Sequence, residues 1–72
     1  MIYDYSKLRG KIVEKYGTQS NFATVIGLSE RTLSNKLNSK KPFKQPEISS
    51  ICSLMNIPDE EIPQYFFAKK VQ

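Results

Sequence analysis

Seventy-two residues with 39% hydrophobic content make one small domain, spanning 1–72, near the lower limit of what a chain can stabilise by burial alone. The single cysteine, Cys52, and the absence of histidine exclude an internal disulfide and the usual zinc spacings, and point to the cytoplasm. No apolar run approaches the roughly 20 residues of a membrane span, and the opening MIYDYSK lacks the apolar core of a signal peptide. The net charge of +4 is unevenly placed. Residues 7–44 carry nine basic side chains against Glu14 and Glu30, a net +7, whereas residues 45–72 carry Glu47, Asp59, Glu60 and Glu61 against Lys69 and Lys70, a net −2. A positive half of this kind fits a surface that meets phosphates, and equally a small protein kept soluble by lysines.

A first helix, capped by Asp4 or Ser6, is predicted to run to about Tyr16 with Tyr5, Leu8, Ile12 and Val13 inward, and Gly17 ends it. Lys7, Lys11 and Lys15, four residues apart, form one positive stripe, read here as solvated rather than laid along a nucleic-acid backbone. Thr18 stands where a cap belongs. The next helix presents Gln19 in its first turn, where free N–H groups and the macrodipole hold anions.

The stretch from Gln19 to Leu37, QSNFATVIGLSERTLSNKL, organises the chain. Phe22, Ala23 and Ile26 share one helical face; the pattern stops at Gly27, and Leu33 and Leu37 share a face of a second helix. Ala23 supplies the small side chain that two closely crossing helices need where they touch, Gly27 suits the left-handed position after a helix, and Leu28 fills the corner. Ser29 is a natural N-cap for the helix that follows. Two short helices joined by a tight turn result, a helix-turn-helix over about 18–38.

The run NSKKPFKQP is a loop, with Phe43 packed beneath it. A fourth helix begins at Gln45 and Pro46, with Glu47 in its first turn and Ile48, Ile51, Cys52 and Met55 on one face, so that Cys52 is a core residue. Asp59, Glu60 and Glu61 then start one or two short turns, since Pro63 disfavours helical geometry at Ile62. Of Tyr65, Phe66 and Phe67, a core of this size takes one or two rings and leaves the remainder on the surface, where a partner or a second copy covers it. The tail, about 65–72, is expected to fray, with pairing to a second copy as a strand the other possibility. The fold class is therefore all-α, a compact bundle of about five short helices.

Gln19, Ala23, Gly27, Leu28, Ser29, Leu33 and Leu37, in this spacing, resemble the Cro and phage-repressor class of helix-turn-helix regulators. Over nearly the whole chain, length and element order are similar to small phage Cro-like proteins and to the modulator-of-repression proteins of temperate phages of Gram-positive bacteria. One position departs from the pattern, with Lys36 where many members carry a bulky apolar residue. The resemblance implies a lambda-repressor-like bundle whose recognition helix, about Glu30 to Asn38, reads bases with Glu30, Arg31, Ser34 and Asn35. Arg31 suits guanine O6 and N7, and Asn35 suits adenine N6 and N7. Gln19, Lys36, Asn38, Ser39, Lys40 and Lys41 would contact the DNA backbone.

Two functions follow. The first is a phage transcription regulator of the lysis-lysogeny switch that binds double-stranded operator DNA, as a homodimer on half-sites about one helical turn apart. The second is an antirepressor or co-repressor that binds the phage repressor, its surplus aromatics and the acidic run Asp59 to Glu61 covering the repressor's basic recognition helix. An enzyme is not expected, because there is no histidine, no cysteine pair and no glycine-rich phosphate loop, and no cofactor, metal or small-molecule substrate is implied.

Overall fold

The structure is a computed structural model, and it describes residues 3–70. Five helices fold into a bundle of 30 × 26 × 22 Å. They are α1 (Ser6–Tyr16), α2 (Gln19–Ile26), α3 (Glu30–Leu37), α4 (Gln45–Met55) and α5 (Ile62–Phe66), the last preceded by a single 3-10 turn at Asp59–Glu61. The all-α reading of the sequence holds, and the starts of α2 and α3 fall where the capping residues place them.

Each of those helices begins on a hydroxyl. Thr18 Oγ1 accepts from the Asn21 N–H at 3.0 Å, and Ser29 Oγ accepts from the Thr32 N–H at 3.1 Å, so each side chain satisfies an N–H that the helix itself leaves free. Helix α1 starts differently. Its N-cap position is Tyr5, and the Asp4 carboxylate just outside accepts from both the backbone N–H and the hydroxyl of Ser6. These two bonds hold the Asp4 carboxyl below the usual range, with smaller help from the charges of Lys70 and Arg9.

Three helices are followed by a residue with positive φ whose successor bonds back into the last turn. After α2, Gly27 takes φ 76° and ψ 24°, the Leu28 N–H bonds to the Ala23 carbonyl at 2.9 Å, and the Gly27 N–H bonds to the Thr24 carbonyl at 3.3 Å. That pair of bonds is the Schellman ending, which needs a left-handed residue. A Cβ at Gly27 would meet nothing within 4 Å, so the requirement there is one of backbone angle and not of space. Helix α3 ends with Ser39 at φ 60° and the Lys40 N–H on the Asn35 carbonyl, and α4 ends with Asn56 at φ 54° and the Ile57 N–H on the Cys52 carbonyl.

The core is one cluster centred on Leu8, Ile12, Phe22, Leu33, Ile51 and Phe66, each with essentially no exposed surface. Ala23 of α2 is buried, and Tyr16 packs at a tilt against Phe22 with ring centroids 4.9 Å apart. Val13, expected inward, is 53% exposed, because the face that α1 buries is narrow and already filled by Tyr5, Leu8 and Ile12.

The lysine stripe of α1 is not simply solvated. Lys7 Nζ lies 4.9 Å from the centre of the Tyr65 ring and donates to Gln64 Oε1, Lys11 Nζ lies 5.9 Å from the same ring, and Lys15 Nζ donates to the Leu54 carbonyl near the end of α4. The stripe therefore fastens α1 to α5 and α4 through cation–π and carbonyl contacts.

The C-terminal segment turns back on the N-terminus of its own chain. Pro63 sits in the first turn of α5, where its missing N–H costs nothing, and Ile62 before it is helical at φ −52° and ψ −45°. Tyr65 and Phe66 then enter the core. The Asp4 N–H bonds to the Ala68 carbonyl at 2.7 Å, and Tyr3 and Lys69 form an antiparallel bridge, so Ala68 and Lys69 neither fray nor await a second copy. The part of that expectation concerning Val71 and Gln72 falls outside the described residues.

Candidate functional site

Helix α3 has two faces, and the residues assigned to DNA divide between them. Glu30 and Arg31 are exposed, Ser34 and Asn35 are half-buried, and Arg31 has no hydrogen-bond or ion-pair partner among the described residues. Gln19, half-buried, opens α2 just beyond the Thr18 cap. Lys40 and Lys41 are exposed on the loop after α3.

Three of the expected backbone contacts are engaged inside the fold. Lys36 is 4% exposed and its ammonium is bonded to the Glu47 carboxylate of α4. Glu47 also accepts from the Lys44 N–H at 2.9 Å, which places one carboxylate at the start of α4 between two donors. Partial burial works against ionising Glu47, but the Lys36 hydrogen bond, the Lys44 N–H and both lysine charges outweigh it and lower its pKa. Lys36 is thus unavailable to phosphates. A lysine is accommodated at this departure from the helix-turn-helix pattern because its stem packs in the interior while its charge is matched by Glu47.

Asn38 and Ser39 are occupied as well. Arg9 reaches across from α1 to donate from Nη2 to the Leu37 carbonyl at 2.9 Å and to Asn38 Oδ1, satisfying acceptors at the end of α3. Ser39 Oγ accepts from the Tyr3 N–H at 3.1 Å and donates to the Tyr3 carbonyl at 3.0 Å. Arg9 was not singled out in the sequence, and nothing in its spacing marks it, since its target lies 28 positions away.

A second candidate surface lies around Phe67. Of the three aromatic residues assigned to a partner surface, Tyr65 and Phe66 are buried and only Phe67 is exposed, at 49%. Phe67 forms a ridge between two clefts and lines both, together with Ile48. The first, about 300 Å³, has Tyr5, Phe43 and Phe66 in its floor and Tyr3, Lys40 and Lys41 around its mouth. Its rings meet edge to face: Phe43 lies 5.3 Å from Tyr5 and 5.5 Å from Phe66, and Tyr3 lies 5.9 Å from Phe67. The second cleft, about 470 Å³, runs between α4 and the 3-10 turn with α5, and combines Ile48, Cys52, Ile57 and Ile62 with Asp59. Burial, then the Asp59 charge, raise the Cys52 thiol pKa, which disfavours the thiolate in the cleft lining.

The chain matches, over residues 1–69, the family described as a protein of unknown function, DUF739. It belongs to that family. No curated protein matches it. Among solved structures it is similar to the solution structure of the modulator of repression (MOR) of the temperate bacteriophage TP901-1 from Lactococcus lactis, with 53% identity and a TM-score of 0.81. That likeness covers 100% of this chain and 97% of the other. For a DUF739 chain of this length, both the α3 face and the Phe67 face are thus carried on a fold shared end to end with a phage modulator of repression. No helix among the described residues is long and apolar enough to cross a membrane.

Proposed function

We propose that this chain is a phage modulator of repression that acts in the host cytoplasm by binding a repressor protein and preventing it from holding its operator. The observation that carries this reading is the 53% identity over the full chain to the TP901-1 modulator of repression. The cleft between α4 and α5 supports it. An apolar floor of Ile48, Ile57 and Ile62 beside Phe67, lined by the exposed Asp59 of the acidic 3-10 turn, is complementary to a basic amphipathic helix of the kind repressors place in the major groove. Mixing this chain with the repressor of the same phage tests it directly: the two should co-elute, and the repressor should release labelled operator DNA as the chain is added. Undiminished operator binding in excess of this chain would refute the proposal.

A second reading, direct binding of duplex DNA, is favoured by Arg31 of α3, which is exposed and has no ion-pair partner among the described residues. Fluorescence anisotropy across a salt series separates the two. Operator affinity that exceeds affinity for random duplex and falls at least tenfold in Arg31→Ala supports a base contact worth about 1–3 kcal/mol; equal affinity for both duplexes removes this reading.

A further inference from the structure

The two clefts on either side of Phe67 carry opposite charge. The α4–α5 cleft has Asp59 in its lining, on the 3-10 turn that also carries Glu60 and Glu61, whereas the aromatic cleft has Lys40 and Lys41 in its lining and no acid. The ammonium groups of Lys40 and Lys41 have no hydrogen-bond or ion-pair partner among the described residues, unlike those of Lys7, Lys15 and Lys36, which are all engaged within the fold. The loop that carries them is held rigidly at one end, where Ser39 is bonded twice to Tyr3 and the Lys40 N–H closes the end of α3. Two cations are thereby set at the mouth of an apolar recess with no carboxylate paired to them among the described residues.

We propose that the aromatic cleft is a second docking site, distinct from the acid-edged cleft, for an acidic protein segment that inserts one large apolar side chain. The recess of about 300 Å³ is at the lower end of the size of ligand clefts, which suits a single anchoring side chain and not a flat surface. The anchor rests against Phe43 and Phe67, whose free ring surface is the apolar area left to bury. Carboxylates flanking it meet Lys40 and Lys41, and the absence of an acid in the lining leaves them unopposed. Duplex DNA satisfies the lysines but offers nothing to bury in the recess, so the apolar floor favours a polypeptide. The Phe67 ridge then holds two segments of opposite charge at once, a basic helix on one side and an acidic segment on the other.

The test uses the full chain and short fluorescein-labelled peptides: one with a single Phe flanked by Asp and Glu, one with that Phe replaced by Ala, and one with the acids replaced by Lys. The acidic Phe peptide should bind saturably, and more tightly at low salt, by anisotropy. Its affinity should fall about tenfold for the Ala peptide and for a Lys40→Glu, Lys41→Glu double variant. Both lysines are exposed, and Lys40→Ala with Lys41→Ala, which should weaken binding less than the reversal, guards against a fold effect. Amide shifts on binding should appear from Ser39 to Phe43. Failure of the acidic peptide to bind, equal binding of the lysine peptide, shifts confined to Ile57–Ile62, or displacement of a Phe-independent complex by duplex DNA would each overturn the proposal. None of these results bears on repressor binding at the acid-edged cleft, which is scored separately by operator release.

Discussion

The unit from Thr18 to Asn38 and the segment from Pro58 to Lys70 are built on different principles. The first is assembled mostly from neighbours: its N-caps and turn lie within a few positions of the groups they satisfy, as Thr18 does for Asn21 and Ser29 for Thr32. Arg9 and Glu47 reach it from α1 and α4 only at the end of α3. The second is assembled from a distance. Tyr65 is covered by Lys7 and Lys11 of α1, Phe66 meets Phe43, and Ala68 and Lys69 are held by Asp4 and Tyr3. A locally built unit presents its outer face whatever surrounds it, while the far segment has a surface only because the remainder of the chain has selected which of its rings stay outside. The two candidate surfaces inherit that difference, one on α3 and one around Phe67.

The sharpest way to break the contrast is to remove adjacent rings in turn. Phe66→Ala should cost about 3–5 kcal/mol, enough to unfold most of a domain this small, because Phe66 has almost no exposed surface. Phe67→Ala should cost less than about 1 kcal/mol and leave the thermal transition nearly in place, while weakening repressor binding at least tenfold. Urea titration and co-elution measure the two effects. Equal destabilisation by both substitutions would mean that Phe67 is a core residue and that neither cleft beside it is a binding surface.

Next in size is the connection between the two halves. Lys36→Ala leaves the Glu47 carboxylate without its ammonium, and because Glu47 retains some solvent the loss should be about 2 kcal/mol, below that of a fully buried pair. The sign of its pH dependence follows from the lowered pKa of Glu47. A carboxyl with a lowered folded value contributes stability that is present above its unfolded value and is lost as pH falls through the folded one. The gap between wild type and Lys36→Ala in urea should therefore be full at neutral pH and should close in acid; a gap that persists at pH 3 would assign the loss to the packing of the lysine stem.

The smallest effect concerns the end of α3. Ser39→Ala removes two hydrogen bonds to Tyr3 and keeps a side chain in the left-handed region, which should cost about 1–2 kcal/mol. Ser39→Gly removes the same bonds but relieves the backbone by about 1 kcal/mol and should fall between the two. A lower melting temperature for the glycine variant than for the alanine variant would show that φ 60° carries no cost here.

Three helix ends with positive φ, at Gly27, Ser39 and Asn56, are marked very unequally in the sequence. Gly27 marks one of them plainly, because glycine is the residue that takes positive φ without steric cost. Asn56 is a weaker mark, and Ser39 is none at all, since serine is held left-handed by Tyr3, 36 positions away. The lysines are harder still. Nine basic residues from Lys7 to Lys44 look alike in the sequence, yet Lys36 is buried with Glu47, Lys7 and Lys11 cover Tyr65, Lys15 meets the Leu54 carbonyl, and Arg9 holds the end of α3. Among the described residues, only Arg31, Lys40, Lys41 and Lys44 keep the solvent-facing role that a charge count assigns to all.

By itself the sequence determined the all-α class, the starts of α2 and α3, the break at Gly27 and the apolar stripes that face the core, because periodicity, capping and turn chemistry act over a few residues. Tertiary structure alone decided which cations are free, which of three consecutive aromatic residues is exposed, and that the tail closes on its own N-terminus. Those outcomes depend on distances between residues far apart in the chain, and the same side chain is buried or exposed according to what the fold brings to it.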